Sequence, residues 1–122
     1  MEIIAIILTV FVAIEHIYIL WMEMFAWETA GKKTFGESLP AEMFKPTKGL
    51  AANQGLYNGF LVAGLIWSFL IQDPQWSMNI RLFFLGCVAV AGIFGALTAS
   101  KRIFVVQALP AILAMIFVWL AR

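Results

Sequence analysis

Glu15 and His16 stand side by side in the middle of an apolar run from Ile3 to Phe25, and Glu23 lies near the end of the same run. A carboxyl beside an imidazole can pass a proton or hold a cation, and histidine is the side chain whose unperturbed pKa lies near neutrality. His16 and Glu23 are seven residues apart, so on a helix they share a face two turns from each other. Glu15 is turned about 100° from His16 but can still reach inward. A second polar set occurs in Ala51-Ala52-Asn53-Gln54-Gly55-Leu56-Tyr57-Asn58-Gly59, where i, i+4 spacing places Asn53, Gln54, Tyr57 and Asn58 on one face. Gln107 precedes Pro110, whose missing N–H predicts a kink beside it. These residues form the candidate ligand set.

Three kinds of function fit them. Ionisable groups in apolar spans mark ion paths, proton relays or ligand counter-ions. The first is therefore binding or translocation of a small solute, proton or ion, with Glu15 or Glu23 changing protonation. The second is a membrane-embedded enzyme of isomerase or proton-transfer type acting on an apolar or lipid substrate. There His16 and Glu23 would serve as acid and base, with Asn53, Gln54 and Asn58 orienting the substrate. No nucleophile stands out, since Cys87 and Ser68 fall on other faces or in the other half, so hydrolysis is disfavoured. The third is a structural or accessory bundle in which the amides only glue helices together. Glu15, His16 and Glu23 offer O, N and O donors, but a single histidine is thin for zinc. No metal and no cofactor is expected.

The elements that must position these groups follow from composition. The chain has 122 residues, 63% hydrophobic and 12% charged, with a mean hydropathy of +0.94. A soluble domain carries roughly 25% charged residues, so the expected class is all-α, an integral membrane four-helix bundle. The expected spans are 3–25, 49–71, 78–99 and 103–121, each close to the roughly 20 residues that cross a bilayer. They make one domain over 1–122. Glu2 stands where a signal peptide would carry basic charge, so the first span is expected to remain. The loop over 26–48 is long, and Ser38-Leu39-Pro40 predicts a short interfacial helix with Leu39, Met43 and Phe44 on its apolar face. The single cysteine, Cys87, excludes an intrachain disulfide.

Charge sets the expected orientation. Loops one and three carry Lys32, Lys33, Lys45, Lys48, Lys101 and Arg102, against Arg81 and Arg122 on the other side. Positive charge marks the cytoplasm, so loops one and three face it and both termini face outward. At about 1.5 Å rise per residue, Glu15, His16 and Asn58 fall near the midplane. Glu23, Asn53, Gln54 and Gln107 lie nearer the cytoplasm. A polar pocket open to the cytoplasm and closed by apolar residues outside is expected. Gly55-x-x-x-Gly59, Gly92-x-x-x-Ala96 and Ala91-x-x-x-Gly95 predict close helix packing within the bundle. The bilayer and a small-molecule or lipid ligand are the expected partners. A net charge of +1 implies no nucleic acid, and four helices are few for a transporter, so a homodimer is expected.

With Glu15–Trp27 (EHIYILWMEMFAW), Asn53-Gln54-Gly55-Leu56-Tyr57-Asn58-Gly59 and Gln107-Ala108-Leu109-Pro110 in view, the chain resembles the domain-of-unknown-function family 1304. The resemblance covers nearly the whole chain. It implies a small bacterial four-span membrane protein, placed in the inner membrane, and brings no assigned reaction.

Overall fold

The computed structural model describes residues 2–122, and among them every regular element is helical. Helix α1 runs Glu2–Phe25 without a glycine or proline to interrupt it, and Glu2 sits in its first turn, where the helix dipole favours an acid. A π-helical turn Trp27–Gly31 and the short α2, Lys32–Phe35, follow. A 3₁₀ turn Ala41–Met43 leads to α3, Lys48–Leu70. Helix α4 spans Pro74–Thr98. Asp73 caps it, its Oδ1 accepting from the Gln75 and Trp76 amides at 2.9 and 3.3 Å, with Pro74 in the first turn. A second π-helical turn, Phe104–Ala108, runs directly into α5, Leu109–Leu120.

The long helices form a closed ring. α1 packs on α3 and α5, and α4 packs on the same two from the opposite corner. The short corners between α3 and α4, and between α4 and the last segment, make those neighbours antiparallel. Glycines set the spacing. A methyl group on Gly55 would stand 3.2 Å from the Leu20 carbonyl and 2.6 Å from Met24 Cγ, so α1 and α3 meet nearly backbone to backbone. One on Gly92 would stand 2.6 Å from the Ala108 nitrogen, which draws α4 against the π turn. The glycines of the small-residue motifs thus pack inside the bundle, whereas Ala91 is exposed.

The core is built from small residues: Ala5, Val12, Val88, Ala89, Ala111, Ala114 and Val118, with Leu65 and Leu85. Many large apolar residues point out, among them Phe83 at 64% exposed and Leu97 at 81%, while Met22 and Phe44 are buried. A soluble protein would hide them, since extensive exposed apolar surface marks contact with something apolar. Two helices, Glu2–Phe25 and Pro74–Thr98, are long and apolar enough to cross a membrane. The other two expected spans fall short of that mark. α3 carries Lys48, Asn53, Gln54 and Asn58 along its length, and the apolar stretch Phe104–Leu120 is shorter.

The first loop departs from the single interfacial helix expected after Ser38. Leu39 is half-buried, Met43 exposed and Phe44 fully buried, so they share no face. An aromatic cluster shapes the loop instead. Trp27 lies between Phe35 and Phe44, with ring centroids at 5.7 and 5.1 Å, and its indole N–H donates to Thr47 Oγ at 2.9 Å. That bond ties the end of α1 to the start of α3.

Candidate functional site

The enclosed polar side chains form two separate pairs, Glu23 with Asn58 and His16 with Gln107, and Glu15 belongs to neither. Glu23, near the end of α1, is 9% exposed and accepts a 2.6 Å hydrogen bond on Oε1 from Asn58 Nδ2 of α3. The close approach at Gly55 makes this bond possible, because Gly55 lies on Glu23 and Leu20 one turn before Asn58.

His16 is fully buried one face along α1. Its Nδ1 lies 2.8 Å from the Val12 carbonyl, and its Nε2 lies 2.9 Å from Nε2 of Gln107. A carbonyl only accepts, so Nδ1 carries the hydrogen. A neutral imidazole then offers a lone pair at Nε2, which the Gln107 amide N–H₂ fills. His16 is therefore fully satisfied as the Nδ1–H tautomer. A proton can arrive at Nε2 only if the Gln107 amide turns over and presents its oxygen.

The π turn places Gln107. Pro110 cannot donate to the carbonyl four residues back, and its ring crowds that turn. The ladder widens, with the Leu109 N–H bonding to Phe104 O. π turns recur at functional sites because they re-aim a side chain. The kink expected from Pro110 takes this form.

Glu15 is half-buried, and its Oε1 is enclosed without a hydrogen-bond partner among the described residues. Leu20 and Met24 mark the α3 side of α1. Glu15 is turned about 140° from Leu20 around the helix axis, so it does not face α3. It is adjacent in sequence to His16 but belongs to a different interface from the Glu23–Asn58 pair.

The expected polar face of α3 is split. Asn58 is buried, whereas Asn53, Gln54 and Tyr57 are exposed, Tyr57 with its ring 5.9 Å from that of Phe60. The buried stripe of α3 is Ala51, Gly55, Asn58, Val62 and Leu65, at helical spacing. Asn53 lies about 140° around the helix from Asn58, so the two cannot both turn in. The signal that could have found this is the small residues: Ala51 and Gly55 already mark the packed face, and Asn58 follows Gly55 by three. The buried hydroxyl of Thr9 is spent on its own helix, donating to the Ala5 carbonyl at 2.7 Å. Tyr18 is exposed and pairs with Trp21. No three His, Cys, Asp or Glu side chains converge as metal ligands among the described residues. A further polar group that the sequence did not suggest lies at the other end, where Arg81 donates to Ser68 and Ser77.

The model of the protein family described as protein of unknown function, DUF1304, matches residues 10–119. The chain belongs to the DUF1304 family. An uncharacterised protein of Lactococcus lactis subsp. lactis (strain IL1403), YpaA, is 35% identical over 95% of this chain and 97% of its own length. No solved structure matches. The DUF1304 assignment carries no activity with it, so the chemistry of this DUF1304 chain rests on its own geometry.

Proposed function

We propose that the protein is a four-span protein of the bacterial inner membrane that binds and translocates a proton or small cation at Glu15 and His16. The observation that carries this is the enclosed Glu15 oxygen without a donor, beside a histidine whose two nitrogens are both engaged. A buried carboxyl oxygen left unpaired is costly, and a proton or cation removes that cost. The packing favours a small species, since the glycine contacts at Gly55 and Gly92 leave the helices nearly touching. Glu23 and Asn58 lie about 10 Å further along α1, toward the loop-one end, and offer a second station. The apolar core on the other side means that passage requires a second arrangement of the helices, and the turnover of the Gln107 amide is its local trigger.

The excess of lysine and arginine in loops one and three supports a cytoplasmic side for them, with both termini outside. The outward-facing large side chains of all four long helices support four spans, α3 and the last segment being carried by their neighbours. A homodimer is the proposed working unit, to be measured by light scattering in detergent.

The test is proton flux into liposomes that hold the purified protein and a pH-sensitive dye, driven by a potassium gradient with valinomycin. Wild type is expected to conduct, and Glu15→Gln and His16→Ala are expected to lose flux while keeping their helical circular dichroism. No flux above protein-free vesicles, together with a melting temperature indifferent to cations, overturns the proposal. In that case retained binding of an apolar ligand would favour a proton-transfer enzyme using the same His16 and Glu23.

A further inference from the structure

The end of the bundle remote from His16 holds an open cleft of about 310 Å³, lined by Ile6, Phe69, Ser77, Arg81, Val118 and Arg122. Three elements make it: the start of α1, the corner between α3 and α4, and the end of α5. Arg81 is half-buried there and rigidly held. Its Nε donates to Ser68 Oγ at 3.2 Å and its Nη2 to Ser77 Oγ at 3.3 Å, and the guanidinium lies 4.0 Å over the Phe69 ring. The serines are themselves fixed, Ser77 donating to the Ser68 carbonyl and Ser68 to the Leu65 carbonyl, each at 2.6 Å. Arg122, stacked 4.0 Å over Trp119, adds a second cation to the same cleft.

These contacts position Arg81 but do not neutralise it. Its bonded partners are hydroxyls, which carry no charge, and they engage two of the five guanidinium N–H donors. Glu2 also lines the cleft and acts on Arg81 electrostatically, yet it is exposed and forms no direct bond with it among the described residues. A preorganised guanidinium fork beside a second cation is a receptor for an oxyanion, which it engages through two parallel N–H···O bonds. The apolar lining, Ile6, Phe69 and Val118, suits a tail attached to that anion. The volume is at the small end of the roughly 300–1,000 Å³ range of ligand cavities. It accommodates a head group rather than a whole lipid.

We propose that this cleft binds a phosphate group bearing an apolar tail, with Arg81 as the principal contact and Arg122 as the second cation. The phosphate has two sources, a phospholipid of the surrounding bilayer or a soluble phosphate ester. The site is separate from Glu15 and His16 and stands without the proposed proton function.

The test uses the full chain in a neutral detergent, with binding read by native mass spectrometry and by the shift in melting temperature. The probes are short-chain phosphatidylglycerol and inorganic phosphate. Phosphatidylglycerol is expected to bind more tightly than phosphate, which supports the lipid source. Equal binding of the two supports the site with a soluble source. Arg81→Gln is expected to weaken binding about tenfold, the loss of a charge-assisted pair. Glu2→Gln, on an exposed residue, is expected to tighten it about threefold by removing the competing carboxylate. If Arg81→Gln fails to fold because Ser68 and Ser77 lose their partner, Glu2→Gln alone decides. Failure of wild type to bind either probe overturns the proposal, and so does binding that Glu2→Gln leaves unchanged.

Discussion

His16 is the single histidine of the chain, which makes its chemistry unusually easy to observe. With Nδ1 on the Val12 carbonyl and Nε2 facing the Gln107 amide, the expected state in a ¹⁵N spectrum of histidine-labelled protein is the Nδ1–H tautomer. Finding the hydrogen on Nε2 would show that the Gln107 contact is not formed. The amides of α3 separate just as sharply. Asn58→Ala leaves the Glu23 carboxyl without its donor and is expected to cost about 1 kcal/mol, within the span measured for hydrogen bonds in membrane bundles. Asn53→Ala, on an exposed side chain, should stay within about 0.5 kcal/mol of wild type. Thermal unfolding of both variants in one detergent measures the contrast. Equal costs would place Asn53, not Asn58 alone, in the packed interface.

Helix spacing is governed by a few glycines, and the sign of a substitution depends on what a methyl group meets. At Gly92 it would stand 2.6 Å from the Ala108 nitrogen and 2.9 Å from its Cα, both backbone atoms that cannot swing away. Gly92→Ala should therefore force α4 off the π turn, at about 1–3 kcal/mol, and carry Gln107 away from His16. At Gly49, in the first turn of α3, nothing lies within 4 Å. Gly49→Ala is expected to be neutral or to stabilise by up to about 1 kcal/mol through helix propensity. The melting temperature should fall for Gly92→Ala and hold or rise for Gly49→Ala, and a comparable fall in both would contradict the packing. The same contacts explain why the π turn persists: Pro110 widens the ladder and Gly92 gives the widened turn a place to lie.

The assembled bundle presents large apolar side chains on all four long helices, while its interior is mostly alanine and valine. Such a surface marks contact with something apolar, a membrane or another protein. Alkaline extraction of cell membranes should accordingly leave the protein in the pellet, and its release into the supernatant would count against spanning. Sidedness is a separate question. With Cys87 replaced by alanine, a cysteine at Glu37 and one at Arg122 are expected to label from opposite faces of the membrane. Labelling of both from the same face would remove the proposed four-span topology.

Much of this was legible in the residues themselves. Long apolar runs and the scarcity of charge specify helices and an apolar setting, although α4 starts at Pro74, four residues before the expected span of 78–99. The placing of Glu15, His16 and Glu23 on one apolar helix locates the polar groups along it. Helical periodicity says which side chains share a face, but not which face turns inward. In water, hydropathy supplies that direction, since the apolar side is the buried side. Here both the interior and the exterior are apolar, so the usual cue is absent, and four polar residues on α3 look equivalent when only Asn58 is enclosed. The direction came from backbone contact, Gly55 on α1 and Gly92 on the π turn, where small residues let helices approach. Arg81 was obscured for the same reason: its Ser68 and Ser77 partners come from both sides of a corner, and only the folded chain brings them to one guanidinium.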